Sequence, residues 1–430
     1  MQSQPLAPTH LTCEYLHNPV GIDECSPRLG WWVNDPRPAA RQSAWQIQAG
    51  SAPDAADLWD TGKVTGDQNT HVVYAGQKLQ SSQRVYWRVR TWDAQDVASP
   101  WSDAASFEMG LLEDADWQAR WISLPCEGEY PLCGPATYLR RTFKIDRPVR
   151  RARLYITARG FYQPWINGRP VSMDRLSPGW TDYHKRIRYQ TIDVTDQLRA
   201  GDNAIGAILG DGWYVGHMTW EVKDGKKLAQ IYGPYPQLLA QLEVTLDDGT
   251  THRIVTDDTW QARQDGPITA QSFLHGETID LRKQLTGWSQ PDALRDGWRA
   301  VQSQDRDQAK LVAYIGEPVR ELMTITPIGV KQTPQGAWIF DLGQNMVGVI
   351  RLRIKGKAGQ TLKLRHAEML DADGQLYLEN LRSARCEDTF ICANDDEVTF
   401  EPWLTLHGFR YVEVQGLEAQ PSLDMVQGVV

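Results

Sequence analysis

The sequence is short of several features that would assign its class at once. No run approaches the ~18 apolar residues that a membrane-spanning helix needs. The opening residues, MQSQPLAPTHLTCEYL, lack a basic region followed by an apolar run. A cytoplasmic location and no membrane partner are therefore expected. Basic charge is in deficit, with 45 Lys and Arg against 54 Asp and Glu, a net charge of −9. A nucleic-acid partner is not expected, because binding one requires a basic stripe to neutralise phosphates. Cysteine is scarce. The six are Cys13, Cys25, Cys126, Cys133, Cys386 and Cys392, and a large chain without a secretory leader favours free thiols. Neither Cys126 and Cys133 nor Cys386 and Cys392 have zinc-ribbon spacing. No His lies in register with either pair, so no cysteine metal site is expected.

Helical periodicity is also missing. No long stretch places apolar residues at i, i+3, i+4 and i+7, and only short pieces such as 291–298 could turn helically. Catalytic signatures are absent too. Gly210, Gly212 and Gly216 have the wrong spacing for a dinucleotide loop, and neither a nucleophile elbow nor a metalloprotease helix occurs. Tryptophan is abundant, with 18 residues. Most should pack strands, while a few could stack on sugar faces.

The most informative stretch is 151–216. Leu154, Ile156 and Ala158 alternate with Tyr155, Thr157 and Arg159, the period of a half-buried strand. Trp165-Ile166 runs into Asn167-Gly168, a pair that tolerates the positive φ of a tight hairpin. Residues 188–194 and 204–209 read as further strands, and Gly210-Asp211-Gly212 opens a loop carrying Trp213 and Tyr214. The pattern predicts a β-sandwich with aromatic and polar loops at one edge. Similar strand and turn spacing recurs in 1–116, where Val85, Trp87, Val89 and Thr91 share a face. It recurs again from residue 316 onward. The fold expected is all-β, with three consecutive antiparallel sandwiches.

The blocks WINGRPVSMDRLSPGWTDYHKRIRYQTIDVTDQL and LGDGWYVG resemble the amino-terminal β-sandwich domain of bacterial α-L-rhamnosidases. The blocks YWRVRTWD and PWSDAASFEMGL are similar to the family's first module. FDLGQNMVG and LHGFRYVEVQG are similar to its concanavalin-like sandwich. The resemblance implies a fibronectin type III-like domain at 1–116, a jelly-roll at 117–315, a concanavalin-like domain at 316–418, and a linker at 419–430 leading toward a carboxy-terminal helical barrel. It also implies a glycosidase that removes terminal rhamnose with inversion. That chemistry needs two carboxyls about 6.5–9.5 Å apart, and the family carries both in the barrel. No catalytic residue is therefore assigned here, and the 430-residue chain is expected to be inactive alone. Asp23-Glu24 resembles the acid motif of that barrel only superficially, because Pro27 blocks the helix it would need. Glu277, Asp280 and Glu379 are the carboxyls to weigh in its place, with Glu379 expected to be an ion-pair or loop brace, or a wall against the barrel.

Some central domains of the family bind rhamnose. By that resemblance Trp165, Asn167, Trp180, Asp182, Trp213, Tyr214 and Trp220 are the candidate contacts for a rhamnose-containing glycoside. Asp211 is the candidate oxygen ligand of a calcium ion, with no other cofactor expected. The alternatives are that these aromatics pack the sandwich, or that the chain is a stand-alone carbohydrate-binding or scaffold protein. Asp371-Ala372-Asp373-Gly374 is expected to be a hairpin turn, not a calcium loop. An apolar patch covered by the barrel is expected near Leu376, Tyr377, Leu378 and Phe409.

Overall fold

The computed structural model describes residues 5–218, 229–293 and 296–430. Among these the only α-helix is the single turn Gly212–Val215, and nearly all other regular structure is strand. Among the described residues no helix is long and apolar enough to cross a membrane. All six cysteines are free. The chain divides into two compact units.

The first unit, Met1–Gln118 with two short later pieces, is a sandwich. One sheet runs Thr9–Cys13, Arg28–Trp32, Val72–Val73. The other runs Val20–Ile22, Ala105–Met109, Arg84–Asp93, Gln42–Gly50, Trp59–Asp60. All these pairings are antiparallel except Val20–Ile22 with Ala105–Met109. The alternation in Arg84–Asp93 works as its sequence predicts: Val85, Trp87, Val89 and Thr91 are buried, while Arg88 and Arg90 reach outward over the Trp101 ring. Asp23 is a structural residue here, its carboxylate accepting the Ala313 N–H at 2.8 Å.

The second unit holds the remaining sandwiches. In one layer Gln302–Gln304, Trp121–Ser123, Gln237–Leu246 and Val149–Arg159 lie side by side. The other layer runs Arg169–Pro170, Phe161–Ile166, Gly201–Gly210, Thr137–Ile145, Gln261–Arg263, Arg299–Ala300. Val149–Arg159 departs from the half-buried strand its alternation predicts, because every residue from Ala152 to Arg159 is buried. Its polar face is covered as well. The Arg159 guanidinium lies 4.4 Å over the Trp121 ring and donates to Gln237 Oε1 at 2.8 Å. Stacking and hydrogen bonding make this burial tolerable for a cation.

A ten-stranded array forms the third sandwich. Its spine is the 18-residue strand Trp338–Lys355, whose first half pairs with His407–Gln415 and second half with Val426–Val429 and Glu397–Phe400. Phe340, Ile350, Leu352, Leu364, Phe390 and Val412 fill its core. The stretch 419–430, read from sequence as a linker, contributes the paired strand Val426–Val429. The hairpin formed by Ile268–Ser272 and Gly276–Asp280 also joins this array, with Gly276–Asp280 lying parallel to Glu387–Ile391. Asp371 makes the expected turn, since its Oδ1 accepts the amides of Asp373 and Gln375 at 3.0 and 2.9 Å. The expected apolar patch is displaced. Phe409 and Leu376 are buried, because the strand alternation turns Phe409 into the core. Of the other two residues of that patch Tyr377 is exposed and Leu378 half-buried, and Val319, Leu322, Met323, Ile328 and Val347 are among the further large apolar side chains that face solvent.

Candidate functional site

Two of the predicted contacts, Trp213 and Tyr214, lie on the turn where Gly201–Gly210 leaves its sheet, whereas Trp165 and Asn167 lie further back beside the same strand. Gly212 sits at φ 52 with a Cβ position 2.8 Å from the Gly160 and Phe161 backbone, so only glycine lets the chain turn there. The turn sends Trp213 inward, where its ring meets Phe161 at 4.8 Å and Phe273 at 5.0 Å. Trp165 packs on Trp288 at 5.8 Å, part of the same apolar cluster. Tyr214 is buried against Tyr183, with ring centroids 5.3 Å apart. Asn167 is a brace. It stands at φ 49 beside Gly168 at φ 82, the predicted hairpin turn. Its Nδ2 donates to Gln197 O and Asn203 Oδ1, and its Oδ1 accepts the Ala204 N–H at 2.9 Å.

Trp180 and Asp182 are placed differently. Trp180 is 54% exposed, and its Nε1 donates to the Tyr232 hydroxyl at 3.3 Å. The His184 ring lies 5.2 Å from that of Tyr232. Asp182 turns its carboxylate to the His184 N–H at 3.2 Å and to Lys185 Nζ at 3.4 Å. These residues form an aromatic shelf with polar groups beside it. Trp220 lies outside the described residues.

Asp211 is buried, and its surroundings do not fit calcium. Oδ1 accepts the Tyr130 hydroxyl at 2.8 Å and Oδ2 the Cys133 N–H at 3.1 Å. Both carboxylate oxygens thus face donors, whereas calcium needs six to eight oxygen ligands. Burial pushes this carboxyl above its usual range, against the hydrogen bonds from Tyr130 and Cys133.

Asp211 does hold a loop that brings Cys133 beside His217 and His275. Burial pushes the Cys133 thiol up. Burial, with the charges of Arg385 and His217, holds His275 down at about 4, so its imidazole is neutral at pH 7. No sequence signal could have joined these three residues, which belong to separate loops.

A second titratable cluster lies in the core between Gly276–Asp280 and the third sandwich. Glu277 accepts the amides of Trp403, at 2.7 Å, and Leu404 on its Oε1. Its own N–H donates to Asp388 Oδ1 at 2.8 Å. Asp388 Oδ2 takes His407 Nε2 at 3.2 Å, and the His407 ring stacks on His366 at 4.2 Å. All four side chains are buried. Burial pushes Glu277 up to about 7. The other carboxyls considered for catalysis are placed elsewhere: Asp280 is bidentate to Arg282, and Glu379 is exposed on a 3-10 turn beside Tyr377.

Comparison with known proteins fits these domains in order. A profile described as Rha78A-like, N-terminal immunoglobulin domain matches 8–113. One described as Alpha-L-rhamnosidase N-terminal domain matches 147–323, and one described as Bacterial alpha-L-rhamnosidase concanavalin-like domain matches 331–430. The chain carries the amino-terminal domains of bacterial α-L-rhamnosidases. The first rhamnosidase domain is thus of immunoglobulin type, where the sequence reading expected fibronectin type III; both are sandwiches. An alpha-L-rhamnosidase of Formosa agariphila is 39% identical over 98% of this chain and 46% of its own length. One from an Alteromonas species is 40% identical over 93% of this chain and 44% of its own. Among solved structures, the alpha-L-rhamnosidase of Streptomyces avermitilis complexed with L-rhamnose superposes with a TM-score of 0.92 at 31% identity, over 99% of this chain and 57% of its own. The chain spans about half the length of the relatives it matches.

Proposed function

We propose that this chain is the non-catalytic β-domain half of an α-L-rhamnosidase that cleaves terminal α-L-rhamnosides with inversion, and that it supports a helical catalytic barrel. The observation that carries this reading is the placement of Glu277. It is the candidate acid with a suitably raised pKa, yet it is 1% exposed and clamped by two backbone amides. A general acid must come within hydrogen-bond reach of the leaving oxygen, and Glu277 has no solvent-facing path to it. The exposed Val319, Leu322, Met323, Ile328 and Val347 fit a surface that packs against the barrel. The test is to assay the 430-residue chain on an aryl α-L-rhamnoside beside a protein extended by a family barrel. The isolated chain is expected to be silent and the extended protein active. Turnover by the isolated chain that is lost in Glu277→Gln or Glu379→Gln overturns the reading.

The Trp180 shelf favours sugar binding as a second role. An exposed indole offers the C–H face of a deoxysugar its stacking partner, and Asp182 offers an acceptor for hydroxyls. L-rhamnose titration should give weak saturable binding that Trp180→Ala weakens several-fold. Binding unaffected by that change removes the shelf from the proposal.

A further inference from the structure

We propose that Cys133, His217 and His275 form a binding site for one zinc ion, with the fourth coordination position left to an exogenous ligand. Cys133 Sγ and one ring nitrogen from each histidine lie within 4.8 Å of one another. Cys133 Sγ is 3.8 Å from His217 Nδ1, and the two imidazoles sit 5.3 Å apart at an interplanar angle of 64°. Zinc bonds of about 2.3 Å to sulfur and about 2.0–2.1 Å to nitrogen place tetrahedral ligand atoms about 3.3–3.6 Å apart. The Cys133–His217 pair is therefore within a few tenths of an ångström of that spacing. Closing the widest separation takes a side-chain movement of roughly 1 Å on the same geometry.

The surrounding bonds hold the ligands from behind. Cys133 adopts φ 59, a left-handed conformation uncommon for a residue other than glycine. It is kept there by the bond from its N–H to buried Asp211, which Tyr130 anchors in turn. His275 is held through its backbone, its O accepting the Glu387 N–H at 2.9 Å and its N–H donating to Ser272 Oγ at 3.3 Å. Metal binding meets contacts that the ligands already make, and the Cys133 sulfur is hydrogen-bonded to Ser272. The Arg385 N–H donates to His275 Nδ1 at 3.3 Å, and this long contact is given up whichever ring nitrogen takes the ion. If the metal binds Nδ1 the lone pair is used, and if it binds Nε2 the proton moves to Nδ1.

The donor set selects the metal. One thiolate and two imidazoles suit zinc and its soft neighbours, whereas calcium and magnesium require oxygen. Three protein ligands are the number found in zinc sites that keep a position open. One thiolate neutralises only half of the ion's charge, so the fourth ligand is expected to be hydroxide or another small anion. The ion would tie the loop 124–136 to the end of the Gly212–Val215 turn and to the hairpin turn before Gly276–Asp280. Asp211, expected from sequence as a calcium ligand, serves this site by positioning Cys133.

The test uses the whole chain, metal-free and in reducing buffer, titrated with zinc and with cobalt. One equivalent should bind, and cobalt should develop a thiolate charge-transfer band with the strong visible bands of a tetrahedral site. Cys133→Ser should remove the charge-transfer band and weaken zinc binding more than about 100-fold, since loss of an outer partner alone costs about 10–100-fold. His217→Ala should weaken binding likewise, and Cys126→Ser, in the same loop, should not. Circular dichroism checks each variant for folding. Should His217→Ala misfold, the single-atom exchange in Cys133→Ser carries the test. Binding below one equivalent, or a cobalt spectrum unchanged in Cys133→Ser, overturns the assignment.

Discussion

Replacing Asp388 with Asn tests whether the buried His366–Asp388–His407 cluster stabilises the third sandwich as an ion pair. Asp388 is fully buried, and its Oδ2 accepts from His407 Nε2 at 3.2 Å. Burial opposes charge on His407, but the Asp388 carboxylate and its hydrogen bond prevail and raise the imidazole to about 9. Burial likewise opposes charge on Asp388, yet His407 holds it below the usual carboxylate range. The pair is therefore imidazolium and carboxylate at neutral pH, with His366 kept neutral by burial and by the His407 charge. A rise in His407 from the ordinary 6.5 to about 9 corresponds to roughly 3 kcal/mol of stabilisation. Breaking a buried pair by removing one partner costs about 3–5 kcal/mol, so the two figures agree. The sign follows from the folded-state value lying above the unfolded one. The His407 contribution is complete below about pH 6.5 and is lost as pH rises through about 9. Asp388→Asn should thus cost about 3–5 kcal/mol near pH 6, and the gap to the parent should narrow toward pH 9. The assay is urea unfolding followed by tryptophan fluorescence at several pH values. Separate sandwiches can give more than one transition, and the one displaced by the substitution is followed. Parallel pH profiles for the two proteins, or a cost below about 0.5 kcal/mol near pH 6, a size typical of neutral surface changes, would refute the ion-pair account.

Phe390→Ala removes a fully buried ring stacked on Phe400 at 4.7 Å and should cost about 3–5 kcal/mol in the same unfolding assay. Asn167→Ala breaks three hydrogen bonds at the hairpin turn and should destabilise by about 1–3 kcal/mol. Its rhamnose affinity should not change, which a sugar titration of the folded variant checks. A far-ultraviolet circular dichroism spectrum should be dominated by strand, well below the helical share of about one third usual in globular proteins.

The periodicity and turn chemistry were enough to read the fold class. Val85, Trp87 and Val89 alternate because one side of their strand is packed and the other is not, and Asn167-Gly168 makes its turn through local backbone preference alone. Both signals act over a few residues, so they survive in a linear reading. The same reading identifies the residue types of a sugar site but cannot say which way they point. Trp213 and Trp165 turn into the apolar cluster while Trp180 stays outside. That difference is set by what each strand and loop packs against, not by its neighbours in sequence. The burial of both faces of Val149–Arg159 has the same origin, since a covering layer is contributed by distant segments. Phe409, expected at the surface, belongs to the core for this reason as well. Most dependent on tertiary structure are the two titratable clusters. Glu277, Asp388 and His407 meet only when the Gly276–Asp280 strand pairs with the third sandwich. Cys133, His217 and His275 meet only when three loops converge. Charge interactions and metal coordination depend on distance in space, and only the folded chain sets that distance.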